Sequence, residues 1–120
     1  MTDPAFVTSP SPISGTVDNW RADATTITTL VRVSLEANAI LTGLHVEAFG
    51  SWRAVFLQNL ALPTDISGFT LTLNHDDGGS DEGNRFALAN GFPVVLQPGG
   101  SVAVYHDGDI NAWRLLTFTG

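Results

Sequence analysis

The densest polar stretch of the chain is Asn74-His75-Asp76-Asp77-Gly78-Gly79-Ser80-Asp81-Glu82-Gly83-Asn84. Asp76, Asp77, Asp81 and Glu82 put four carboxylates within seven residues, and grouped carboxylate oxygens are the ligands that Ca²⁺ takes. The alternating carboxylates and closing Glu of a calcium-binding helical loop are missing, so the competing reading is a flexible acidic connection between strands. A catalytic carboxylate pair needs a held separation and one raised pKa, and a solvated Gly-Gly loop offers neither. His45, His75 and His106 have no H-x-H or H-x-x-x-H spacing, so only convergence from separate strands would make them metal ligands. No Ser sits in a G-x-S-x-G elbow, and neither a phosphate loop nor a dinucleotide fingerprint occurs. The chain has no Cys, hence no thiol nucleophile, thiolate zinc site or disulfide. These residues predict a protein that is not an enzyme and holds no cofactor beyond the Ca²⁺ candidate.

The tryptophans offer a different chemistry. Exposed indoles on a β domain can stack on the C–H faces of sugar rings, and Trp52 is the candidate for such a glycan contact. The competing reading puts Trp113 in the core of the last strand and Trp52 at a turn, each N–H on a carbonyl. Trp20 follows Asn19 in a segment without strand pattern, which suits a contact between subunits.

Charge narrows the partners further. Five basic against twelve acidic residues give a net charge of −7, and all five basic residues are widely spaced arginines. Such a chain is repelled by a phosphate backbone or an anionic bilayer, so neither nucleic acid nor membrane is an expected partner. No apolar run approaches the ~20 residues of a membrane span. The first residues lack a basic region followed by an apolar stretch, so no signal peptide is expected.

The elements that must position these side chains are strands. Ile27, Val31, Val33 and Leu35 alternate with Thr28, Arg32 and Ser34, and the same period of two recurs at 69–74, 102–105 and 114–118. Further strands are predicted over residues 40–46, 53–60, 85–89 and 93–97, with one possible helical turn at 35–38. Between them lie the turn signals Phe49-Gly50-Ser51, Pro63-Thr64-Asp65, Asp77-Gly78-Gly79, Asn90-Gly91, Pro98-Gly99-Gly100 and Asp107-Gly108-Asp109. About eight short strands at this spacing predict an all-β fold, an antiparallel β-sandwich of jelly-roll type. Residues 1–18, with Pro4, Pro10 and Pro12, have no periodicity and read as an extended N-terminal arm; residues 19–120 read as the β-sandwich domain.

Several short pieces follow one another in order along the domain. They are Asn19-Trp20, Leu41-Thr42-Gly43-Leu44, Phe56-Leu57-Gln58-Asn59-Leu60, Leu71-Thr72-Leu73-Asn74-His75 and Asn84-Arg85-Phe86. Leu96-Gln97-Pro98-Gly99-Gly100-Ser101-Val102, Tyr105-His106-Asp107 and Trp113-Arg114 follow. The succession is similar to small β domains of tailed-bacteriophage virion proteins, found in tail fibres and on capsid surfaces. Physical reasoning gives several pieces a structural task. Gly43 would admit a close backbone approach, the Asn59 amide would close a strand end, and Arg85 would pair with a carboxylate of the acidic loop.

The resemblance implies a virion structural protein, commonly a homotrimer, located on the capsid or tail surface. One such domain without shaft or heptads is expected to be a capsid decoration protein that binds the major capsid protein or another virion protein and stabilises the head. Its expected capsid or subunit contacts are Thr2, Asp3, Pro4, Phe6, Val7, Pro10 and Pro12 of the arm, with Trp20. The alternative is a tail-fibre or head-fibre tip that binds a host surface glycan through Trp52 and the 76–82 loop. A secreted carbohydrate-binding sandwich is a third option, against which the missing signal peptide counts.

Overall fold

A computed structural model describes residues 7–22, 30–46, 52–60 and 68–119. The contact candidates Thr2, Asp3, Pro4 and Phe6, together with the turn signals at 49–51 and 63–65, lie outside the described residues. The described chain is all-β, with ten strands in two sheets. They are β1 (Val7–Thr8), β2 (Ile13–Val17), β3 (Leu30–Val33), β4 (Leu35–Leu41), β5 (Ala54–Asn59), β6 (Leu71–Leu73), β7 (Phe86–Ala87), β8 (Val94–Leu96), β9 (Ser101–Asp107) and β10 (Ala112–Thr119). Short 3-10 turns occupy Glu82–Asn84 and Ala89–Gly91.

Strand pairing departs from the antiparallel expectation. From β1 to β6 the chain alternates between sheets, so that β1, β3 and β5 lie parallel in one and β2, β4 and β6 lie parallel in the other. This is a short solenoid-like winding, each coil giving one strand to each sheet. The later strands close it: β8 runs antiparallel to β6, β9 to β5 and β10 to β9, while β7 lies parallel outside β10. The sheet orders are thus β1-β3-β5-β9-β10-β7 and β2-β4-β6-β8. Alternation reports that a segment is a strand with one buried face; it carries no information about which strand lies beside it.

Two local expectations are also corrected. The helical turn expected at 35–38 is the first half of β4, held in extended form by parallel pairing with β2. Residues 7–17, expected to form an arm, supply the edge strand of each sheet: Val7 and Thr8 pair with Leu30 and Val31, and residues 13–17 pair with β4. Edge strands lean on one neighbour and expose much of their surface, so their sequence need not alternate.

Both sheets turn an apolar face to one core. Val31, Val33, Val55, Leu57, Val102, Val104 and Trp113 come from the six-stranded sheet; Ala39, Leu41, Leu71, Leu73, Val94 and Leu96 come from the other. Asn59 is buried among them, and its amide donates to the carbonyls of Phe69 (2.8 Å) and Leu96 (3.2 Å), tying the end of β5 to the facing sheet as expected.

Candidate functional site

The 74–85 segment is the first candidate, and it is anchored to the body of the protein. Ser80 is buried, and its hydroxyl accepts from the Asn19 amide at 2.8 Å and lies 2.6 Å from the Thr42 hydroxyl. The Thr42 hydroxyl is also 2.6 Å from Asp18 Oδ1. Asn19 Oδ1 accepts from the Asp81 amide and from Asn84 Nδ2, both at 2.8 Å, and Asn84 Oδ1 accepts from the Val46 amide at 3.0 Å. Gly43 makes this docking possible: a Cβ there would run into the Asn84 carbonyl and lie 2.7 Å from Ser80 Oγ. The close approach lets the Leu44 amide donate to Asn84 O at 2.8 Å. A segment that reads as a solvated connection is therefore stitched to residues 18–19 and 42–46 by a mostly part-buried polar network.

Of the four carboxylates, Asp76 and Asp77 are engaged by neighbouring donors. Asp77 Oδ1 accepts from the Gly79 amide (2.8 Å) and Asp77 Oδ2 from the Asn74 side chain (3.1 Å), which engages both of its oxygens. The Gly79 N–H first, and the Asn74 amide second, hold the Asp77 pKa below its ordinary value. Asp76 faces Arg85 at 3.4 Å, an exposed pair, and Arg85 Nε donates to the Ser80 carbonyl at 2.9 Å. Among the described residues no group of three or more His, Cys, Asp or Glu is gathered to hold a metal ion. The histidines do not converge. His75 Nδ1 accepts from the Leu88 amide, His106 Nε2 contacts the Gly83 carbonyl, and His45 Nε2 lies 3.4 Å from Arg21.

The β9–β10 hairpin packs beside this segment. Asp107 closes the hairpin by accepting from Arg114 Nε at 2.7 Å and from the Asp109 amide at 2.9 Å; the Arg114 bond is the main reason its pKa is lowered. Trp113 is fully buried, donates Nε1–H to the Leu44 carbonyl at 2.9 Å, and meets His106 edge-on at 5.3 Å between ring centroids. This is the core placement weighed for it. Trp52 has a positive φ at a turn and is 61% exposed, its indole lying against Gly108. Between the acidic segment and the hairpin opens a cleft of about 350 Å³, lined by His75, Asp76, Glu82, Arg85, Ile110 and Asn111, with Phe86, Ala87 and Ala112 of β7 and β10.

The N-terminal candidates partly converge. Pro10, Pro12 and Trp20 line one groove of about 280 Å³ with Ser11, Ile13, Arg21 and Ala22. Pro10 is buried and Pro12 exposed, while Val7 is half-buried in β1. Trp20, expected at a subunit contact, is buried in the core and also lines the groove. Its backbone continues the winding by a parallel bridge to Leu44, with its amide on Gly43 O and its carbonyl accepting from His45.

A further surface was not singled out in the sequence. Register places Val7, Leu30, Phe56, Ala103 and Thr117 side by side across the outer face of the six-stranded sheet; Phe56 and Thr117 are exposed, Val7 and Leu30 half-buried and Ala103 buried, with Leu116 exposed at a bulge in β10. Phe56 is 45% and Leu116 55% exposed. Exposed Arg32 and Arg114 stand in the neighbouring rows. The signal was present: Val55-Phe56-Leu57 and Leu115-Leu116 are apolar without alternation, the pattern of a strand covered on both faces.

Compared with known proteins, the chain matches no protein-family model, no curated protein and no solved structure. Among the described residues, no helix is long and apolar enough to cross a membrane.

Proposed function

We propose that this chain is a non-enzymatic structural protein of a tailed-phage virion, a capsid decoration protein that binds the outer capsid surface as a homo-oligomer. The observation that carries the assembly part is the exposed pair Phe56 and Leu116 on the six-stranded sheet, with half-buried Val7 and Leu30 in register beside Phe56. Side-by-side exposed apolar residues mark association surfaces, whereas single ones do not. In an acidic chain this face also carries exposed Arg32, which suits a partner surface bearing carboxylates. The groove at Pro10, Pro12 and Trp20 supplies the second contact, toward the major capsid protein or another virion protein. The virion assignment itself draws its support from the succession of residues between 19 and 120.

The solution mass of the chain, by light scattering after size exclusion, tests assembly. A trimer is expected, and Phe56→Asp or Leu116→Asp is expected to yield folded monomers with an unchanged circular dichroism spectrum. A monomeric parent chain overturns obligate assembly. Capsid binding is tested by substitution rather than by removing residues 1–17, because that deletion would strip an edge strand from each sheet. Pro12→Asp combined with Arg21→Glu is expected to abolish binding to capsids while the oligomer persists.

One observation favours a second reading, a tip module that binds a host surface glycan. The Trp52 indole is the most exposed of the three tryptophans, and a solvent-facing indole is a stacking platform for a sugar ring.

A further inference from the structure

The cleft between the acidic segment and the β9–β10 hairpin has no part in the assembly reading, yet two of its polar groups, His75 and Arg85, are held in place. His75 Nδ1 accepts from the Leu88 amide at 2.9 Å, so in the neutral ring the proton sits on Nε2 and the imidazole is a donor. Arg85 is fixed by Nε on the Ser80 carbonyl. The Asn111 carboxamide rests against Gly83: a Cβ on that glycine would lie 3.1 Å from both its nitrogen and its oxygen. Asn111 itself has φ 56, the left-handed backbone an Asn tolerates in a tight turn. Polar groups oriented before binding lose little further entropy when a ligand arrives.

The chemistry of the lining selects the ligand. The lining offers both donors (His75, the Arg85 guanidinium and the Asn111 amide) and acceptors (Asp76, Glu82 and the Asn111 carbonyl), with Asp76 and Arg85 paired at 3.4 Å. A hydroxyl group is both donor and acceptor and satisfies either kind. An anion meets two carboxylates, and a cation meets Arg85. Ile110 adds an apolar wall, and the volume of about 350 Å³ lies at the small end of ligand sites. We propose that this cleft binds a neutral, hydroxyl-rich ligand of monosaccharide size, a single sugar unit. The inference rests on the glycan-binding reading for the source of the sugar, but it assigns the contact to a site that does not include Trp52.

The test is a ¹H–¹⁵N NMR titration of the full chain with methyl α-glucoside, methyl α-galactoside, methyl α-mannoside and N-acetylglucosamine, and with glucuronate and glucosamine as charged counterparts. At least one neutral sugar is expected to shift amides of residues 75–76, 82–87 and 110–112 saturably at millimolar concentration, with the charged sugars weaker. Glu82→Ala and Asn111→Gly, the latter keeping the left-handed turn, are each expected to weaken binding roughly tenfold, as loss of a hydrogen bond to a ligand does. Gly83→Ala, whose Cβ would press on the Asn111 carboxamide at 3.1 Å, is expected to weaken it as well. Shifts confined to residues 52 and 106–108 and abolished by Trp52→Ala would overturn the cleft assignment while the glycan reading stands. Silence with every neutral sugar overturns both, and tighter binding of glucuronate or glucosamine than of any neutral sugar overturns the ligand class.

Discussion

At the scale of single residues, the positions that matter most are those where a small or polar side chain lets two pieces of backbone meet. Gly43 is the clearest. A methyl group there would collide with the Asn84 carbonyl, which is backbone and cannot rotate away. Gly43→Ala is expected to cost about 1–3 kcal/mol, the range for overpacking a tight site, and to lower the midpoint of thermal unfolding. Asp107 offers a test in the acid range. Its pKa is depressed in the folded protein, chiefly by Arg114, so the pair stabilises the hairpin fully above the ordinary carboxylate pKa. That contribution fades as pH falls through the lowered value. Arg114→Ala is expected to move the Asp107 titration midpoint upward toward its ordinary position, read by NMR of the side-chain carboxyl.

At the scale of elements, the acidic segment and the chain between β2 and the Trp20 bridge behave as one unit because Asn19 joins them. Its Oδ1 accepts from two donors of the 81–84 turn, and its amide donates to Ser80. Asn19 also sits at φ 47, where Asn is tolerated and most residues are strained. Asn19→Ala removes both acceptor contacts and adds that strain. The amides of residues 80–85 are then expected to exchange with solvent at least about tenfold faster while those of β5 and β9 stay protected, since local opening leaves the core strands intact. Uniformly faster exchange would mean that the segment is part of the global folding unit. The strands themselves were largely legible: β3 and β5 to β10 fall on the segments where apolar residues alternate, or run apolar between turn signals. β1 and β2 were not, because an edge strand is held by backbone bonds to one neighbour and needs no alternating face.

At the scale of the whole molecule, the ten short strands of the described residues share one core, and the described surface is divided in character. The larger sheet exposes Phe56 and Leu116, while the carboxylates of 76–82 lie on the segment beside the hairpin. The proposed assembly through Phe56 and Leu116 does not draw on those carboxylates. Asp77 uses both oxygens within its own turn, and Asp76 faces Arg85. The mass of the oligomer is therefore expected to be the same with and without a calcium chelator in the light-scattering run. A mass that drops on chelation would assign an ion to that segment and make it part of the interface.

The sequence by itself determined that this protein is built of short strands, where most of them lie and which of their residues face inward. Alternating side-chain polarity is a local property, and each strand obeys it whatever its neighbours are. It also settled several single tasks in advance, among them Gly43 as a place of close approach, Asn59 as a strand-end clasp and Arg85 as a carboxylate partner. Only the tertiary structure decided that the first six strands wind in parallel coils, that Trp20 belongs to the core, and that His75, Arg85 and Asn111 share a cleft. Those outcomes depend on which segments lie side by side. Such pairings bring together residues tens of positions apart in the chain, so they rest on packing and backbone hydrogen bonds that leave no periodic mark in the sequence.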